Sequence, residues 1–245
     1  MFDAVTVKNN LIQWIRDWFA VNGPDCNAII GISGGKDSSV VAALCVEALG
    51  EDRVIGVKMP KGYQWDISES NKLIDHLGIK GYEINILHAY NALIYEMKAN
   101  GIFEISNQTT TNLPARLRMS VLYGVSQSHN GRVSCNSNLS ERYIGYCTVG
   151  ADSIGDFAPL VNLTSDEVVA IGDALGLPYE LTHKTPSDGL CGKSDEDNFG
   201  FTYAVLNKYI RTGVCEDAEI KEKIDSTHTK NAFKFKPIPK FEYEP

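Results

Sequence analysis

Chemistry is most legible in the run Gly31-Ile32-Ser33-Gly34-Gly35-Lys36-Asp37-Ser38-Ser39. An apolar stretch at 27–32 feeds it, and Val41, Leu44, Cys45, Ala48 and Leu49 follow at helical spacing, so the run lies between a strand and a helix. Glycines let backbone amides approach an anion closely, the helix start adds partial positive charge, and Ser33, Ser38 and Ser39 carry hydroxyl donors. Phosphate is the ligand such a loop suits. The spacing is neither G-x-x-x-x-G-K-[ST] nor G-x-G-x-x-G, so neither of those phosphate-binding mechanisms transfers. The competing reading is a plain glycine turn with Asp37 favourably placed in a first helical turn. Residues 58–64 end a second apolar strand, at the edge where open α/β sheets bind ligands; an ordinary connecting loop would look the same. Asn138-x-x-Glu141 has the spacing of a capping box, which competes with a metal-ligand role for Glu141. Cys191 lies in a polar stretch, and no motif places a histidine beside it, so it reads as structural.

These residues need elements to position them. Leu11, Ile12, Ile15, Trp18 and Phe19 recur at helical spacing within residues 4–20 and predict an amphipathic first helix, for a core or for an interface. Strands follow at 27–32, 54–59, 82–86 and 132–135, with helices at 67–77 and 112–128 between the later ones. Strands alternating with helices imply a parallel sheet covered on both faces, the doubly wound α/β class. Beyond Glu141 the pattern turns helical; Thr164-x-x-Glu167 opens a helix bearing Val168, Ile171 and Leu175, and Gly176-Leu177-Pro178 stops it. Residues 182–198 are polar without periodicity and read as a long functional or mobile loop. No repeat, low-complexity segment or linker divides the chain, so one domain over 1–245 is expected.

Composition narrows the partners. Lys+Arg 23 against Asp+Glu 31 gives a net charge of −8, which disfavours nucleic acid. No run approaches the roughly 18 apolar residues of a membrane span, and the N-terminus lacks a basic-then-apolar leader, so a cytoplasmic protein is expected. The six cysteines contain no C-x-x-C pair, which indicates neither a zinc site nor a disulfide framework.

The loop at 33–38 resembles the pyrophosphate loop of the adenine nucleotide alpha-hydrolase type, Rossmann-like ATP pyrophosphatases that split ATP between its α and β phosphates. Several activities share that loop, and other segments choose among them. Asn112-Leu113-Pro114-Ala115-Arg116-Leu117-Arg118-Met119 is similar to the N-x-x-A-R-x-R-M helix of NAD synthetases. Residues 138–148, 152–160, 186–190 and 195–200 resemble that family's following segments in register, from about residue 3 to about residue 230. The resemblance implies ammonia-dependent synthesis of NAD from deamido-NAD and ATP through an adenylate, in a homodimer, with Mg2+. It implies that Gly31, Ile32, Ser33, Gly34, Gly35, Lys36, Asp37, Ser38, Met59, Gln64, Asn136 and Ser187 hold ATP. By the same resemblance Asp37 and Glu141 hold Mg2+, Arg116, Asp152 and His228 contact deamido-NAD, and Asp37 and Asp152 serve catalysis. Without it, Asp152 reads as a turn former, Ser187 as a solvated loop residue, His228 as incidental and Arg118 as a surface ion-pair residue. A glutamine-dependent relative carries an amidotransferase domain for which 245 residues leave no room, so free ammonia is expected. Ser165 stands where the family commonly has a lysine toward ATP, and Lys184 or Lys193 are candidates to replace its charge. The alternatives are a nucleotide-binding module without catalysis and another adenylating ligase, such as a tRNA-modifying enzyme. The second would want a basic surface.

Overall fold

The structure, a computed structural model, describes residues 2–184 and 195–244. Helix α1 (Ala4–Asn22) starts at Asp3, whose carboxylate accepts from the Val5 amide, and buries Ile12, Ile15 and Phe19. Trp18, Phe19 and Phe157 form an aromatic trio with ring centroids 5.1–5.3 Å apart, which assigns α1 to the core. Strand β1 (Asn27–Gly31) sends Ala28 and Ile30 to the face covered by α1 and by α2 (Lys36–Leu49), and Ile29 to the other. Each of these isoleucines is fully buried, worth about 2 kcal/mol apiece.

A 3-10 turn (Glu51–Arg53) leads into β2 (Val54–Lys58), and α3 (Ile67–Leu77) joins that to β3 (Lys80–Glu83). Helices α4 (Leu87–Ala99) and α5 (Asn107–Ser128) return the chain to β4 (Gly131–Val133). All pairings are parallel, in the order β3-β2-β1-β4, with Ile29 beside Ile55 on one side and Val133 on the other. Met119 and Leu122 of α5 cover the face that Ile29, Ile55, Val57 and Val133 present. The doubly wound expectation holds.

The third strand and two helices depart from the sequence expectation. β3 occupies Lys80–Glu83 instead of 82–86, because Asn85 turns the chain: its side-chain oxygen accepts from the Gly62 and Leu87 amides, both at 3.0 Å. α4 was not anticipated at all; none of its residues is buried, so its apolar positions follow no core-facing stripe. α5 begins five residues before the expected 112, at a Ser106 cap accepting from the Thr109 amide at 3.1 Å, and Pro114 is buried within it.

The rest of the chain wraps the sheet's end. α6 (Leu139–Ile144), α7 (Ser165–Ala174) and α8 (Tyr179–Thr182) precede α9 (Asp195–Phe199), α10 (Tyr203–Thr212) and α11 (Ala218–Asn231), and a 3-10 turn (Ala232–Phe235) follows. Ile144, Phe199, Phe201, Tyr203, Leu206 and Ile224 make a third apolar cluster among these helices. Of the polar stretch 182–198, α9 is helical and residues 185–194 lie outside the described ones. Among the described residues no helix is long and apolar enough to cross a membrane.

Candidate active site

In the order β3-β2-β1-β4, the chain leaves β1 toward β2 and returns on its other side at β4, so a crevice opens beyond the carboxyl ends of β1 and β4. The loop after β1 and the segment after β4 border that crevice. Gly35 is the residue before α2 and offers no side-chain cap, so the first amides of a 14-residue helix have no such partner. Gly34 has φ 79°, and a Cβ there would lie 3.1 Å from the Glu69 Cβ and 3.3 Å from the Ser70 amide nitrogen; the turn requires glycine. The serines shape the loop from inside. Ser38 and Ser39 donate to the Gly35 carbonyl at 3.0 and 2.8 Å, and Ser38 Oγ lies 3.1 Å from Ser33 Oγ and accepts from the Ser33 amide at 3.3 Å. Ser33 is exposed, whereas Ser38 and Ser39 are buried and spend their hydroxyl protons on Gly35, so of the hydroxyls expected to donate outward these two do not.

Asn136 bridges the two borders. Its amide donates to the Gly31 carbonyl at 3.1 Å while its oxygen accepts from Ser134 at 2.7 Å, and Met59, buried at the end of β2, adds the third edge. Asn138 then joins α6 to α2 by donating to Asp37 Oδ1 at 3.0 Å. The capping-box reading of Glu141 is realised in full. Its amide donates to Asn138 Oδ1 (3.1 Å) and its Oε2 accepts from the Asn138 amide (3.3 Å), a complete capping box that holds the carboxylate toward Asp37. Burial raises the Glu141 carboxyl well above the usual range, the nearby Asp37 charge adds to this, and Lys36 opposes it.

Lys36 is 7% exposed, and its ammonium lies 2.8 Å from Asp37 Oδ2. Burial works against that charge, but Asp37, Glu141 and Asp195 together outweigh it and raise the group above its ordinary value. Asp195 and Tyr203, which the sequence reading left without roles, complete this cluster: the Tyr203 hydroxyl donates to Asp195 at 3.2 Å, and its ring centroid lies 5.7 Å from the Lys36 ammonium. An acidic run at 195–197 looks like a solvated helix start and Tyr203 like a core residue, so only their common distance from Lys36 reveals them.

The turn at 145–152 forms a second wall. Arg116 is exposed and donates to the Val149 carbonyl at 3.2 Å, while Asp152 accepts from the Thr148 amide at 2.8 Å, so these two expected acceptor contacts share one turn. Solvent reaches Asp152, yet the protein packed around it raises its carboxyl, with Lys234 and Arg118 pulling the other way. Arg118 is no surface ion-pair residue. It is largely buried, donates from Nε to the Met59 carbonyl at 3.0 Å, and makes no other hydrogen bond among the described residues. Lys234 donates to the Gly145 and Cys147 carbonyls at 2.6 and 3.0 Å, tying the tail to this turn.

Other expected residues sit apart. Gln64 donates to Asp66 (2.9 Å), which also receives the Lys184 ammonium (2.5 Å), so Lys184 is engaged with the loop after β2. Ser165 is buried among Ser140, Asn207 and Asp166, its hydroxyl accepting from Asn207 at 3.0 Å, and reaches no open surface of the crevice. His228 stacks on Tyr143 at 4.2 Å and donates from Nδ1 to the Tyr143 carbonyl at 2.6 Å, a contact between α11 and α6. Ser187, Cys191 and Lys193 lie outside the described residues.

The model of the family described as NAD synthase matches residues 7–241. The chain belongs to the NAD synthase family. An NH(3)-dependent NAD(+) synthetase of Thermococcus sibiricus is 39% identical over 209 residues, 85% of this chain and 80% of that protein. A solved NMN synthetase of Francisella tularensis superposes with TM-score 0.90 at 31% identity, covering 99% of this chain and all of that one. The NH3-dependent NAD synthetase of Campylobacter jejuni, solved with a nitrate ion, gives TM-score 0.80 at 26% identity, with 99% of this chain and 100% of that chain covered. As a NAD synthase family member the chain uses ATP as co-substrate.

Proposed function

We propose that this chain is an ammonia-dependent NAD synthetase, a carbon-nitrogen ligase that turns deamido-NAD, ATP and ammonia into NAD, AMP and pyrophosphate. One juxtaposition carries the reading: the uncapped start of α2, with Asp37 in its first turn, lies beside Glu141 of α6 at the β1–β4 crevice, and Asn138 holds Asp37 in place. Gly31 through Ser38, Met59 and Asn136 surround the nucleotide, while Gln64 flanks it from the loop after β2; the ATP role expected of Ser187 falls outside the described residues. Arg116 and Asp152 contact the acceptor from the 145–152 turn, and His228 supports that side through Tyr143. Asp37 and Asp152 serve catalysis by holding the nucleotide and the acceptor to one another.

A carboxylate resists ammonia because oxide would have to leave. Attack of the acceptor's carboxylate oxygen on the α phosphorus forms the acyl-adenylate and expels pyrophosphate, whose new charge the loop amides receive. Ammonia then adds to the acyl carbon, loses a proton, and AMP departs. Among the described residues no group of three or more His, Cys, Asp and Glu is placed to hold a metal ion. Two adjacent carboxylates nevertheless suit Mg2+, which binds through one or two of them together with phosphate oxygens and water. Asp37 and Glu141 would hold it, and it would neutralise phosphate charge.

The described residues are read as a single domain, the NH(3)-dependent relatives support free ammonia as the nitrogen source, and a cytoplasmic setting is part of the reading. The acidic balance speaks against nucleic acid. A homodimer is supported by α4, a helix with no buried residue, and by exposed Leu93, Tyr95, Ile102 and Phe103 around it. A second acceptor, nicotinate mononucleotide, is favoured by the TM-score of 0.90 to an NMN synthetase. Purified protein given ATP, ammonium and Mg2+ is expected to yield AMP and pyrophosphate with one of these acceptors, and the ratio of their kcat/KM values decides between them. Asp37→Ala is expected to stop pyrophosphate release while circular dichroism stays unchanged. Formation of ADP and orthophosphate would refute the assignment.

A further inference from the structure

Lys36 occupies an unusual place for a loop lysine. Its ammonium is buried, sits 2.8 Å from Asp37 Oδ2, and interacts with Glu141 and Asp195, so it neutralises the oxygens that the metal reading gives to a divalent cation. An ammonium and a divalent ion cannot both hold Asp37 Oδ2 at contact distance, since two positive charges would then face each other in a poorly solvated cleft. The lysine stem is flexible with four carbons and three rotatable donors, and its own residue begins α2, beside the amides that receive phosphate.

We propose that Lys36 is the built-in counter-ion of the Asp37–Glu141 pair, displaced by the divalent cation when it arrives and transferred to the nucleotide phosphates. This rests on the proposed metal site. It makes metal and nucleotide binding interdependent: metal alone must expel a satisfied ammonium, whereas metal with nucleotide gives that ammonium a new anion.

Mn2+ titrations followed by electron paramagnetic resonance test the idea, with and without α,β-methylene ATP, which cannot be cleaved. For Lys36→Met, Mn2+ alone is expected to bind on the order of tenfold tighter than to the unaltered protein, while the analogue binds on the order of tenfold more weakly in the presence of Mn2+. Lys36→Arg keeps the charge and is expected to keep the weak binding of Mn2+ alone. Lys36→Gln carries the same expectation as Lys36→Met should the latter not fold, and Mn2+ should raise the melting temperature of either variant more than that of the parent. Unchanged Mn2+ affinity in Lys36→Met and Lys36→Gln, with Mn2+ binding lost in Asp37→Asn, overturns the counter-ion role alone. Mn2+ binding that survives Asp37→Asn overturns the metal site and this proposal with it.

Discussion

Arg118 shows what a single residue contributes and how poorly spacing announces it. Its Nε is fixed by the Met59 carbonyl, 59 positions away, while its two terminal nitrogens make no hydrogen bond among the described residues and Asp152 lies within electrostatic reach. A guanidinium fork anchored in this way, beside the acceptor turn, suits a phosphate or carboxylate of the acceptor. Arg118→Ala is expected to raise the acceptor KM by on the order of tenfold or more with a smaller fall in kcat, and Arg118→Lys to recover little, for lack of the fork. Steady-state kinetics check this; an unchanged KM removes Arg118 from the site. The loop at 33–38 was legible because glycines, serines and an acid crowd into six positions between two recognisable elements. Arg118, Asp195 and Lys234 were not, because each acquires its meaning from a partner that the sequence does not place beside it.

Among the elements, α3 appears at the residues its spacing predicts, since a one-sided stripe ending in Leu73 and Leu77 against the core leaves one solution. Edge elements behave otherwise. β3 lies at the sheet's margin with no fully buried residue, so its bounds fall two or three residues before the expected ones, and α4 faces away from both main clusters and gave no periodic signal. The docking of α11 turns on one glycine. Gly145 ends α6 with φ 67°, and a Cβ added there would stand 2.2 Å from the Asn231 Cβ, whose amide donates to the Ile144 carbonyl at 2.9 Å. Gly145→Ala combines left-handed strain with overpacking and is expected to cost about 2 kcal/mol or more. Urea unfolding measures the loss, and proteolysis should nick α11 first; an unaltered midpoint contradicts this reading of the α6–α11 junction.

At the scale of the molecule, the exposed apolar band around α4 predicts self-association. Tyr95→Glu with Phe103→Glu is expected to convert a dimer into a monomer in sedimentation velocity, while the fold persists because both side chains are mostly exposed, 69% and 76%. A parent protein already monomeric at micromolar concentration rules that surface out. The two walls of the crevice also draw on different parts of the chain. The nucleotide loop is tied to Asn138 and flanked by Asp195 and Tyr203, whereas the turn bearing Asp152 is buttressed by Lys234 and by Phe235, whose ring lies 4.2 Å beneath the Arg142 guanidinium. The acceptor wall is therefore strapped down from a stretch of chain far removed from it in sequence, by contacts that the phosphate loop does not share.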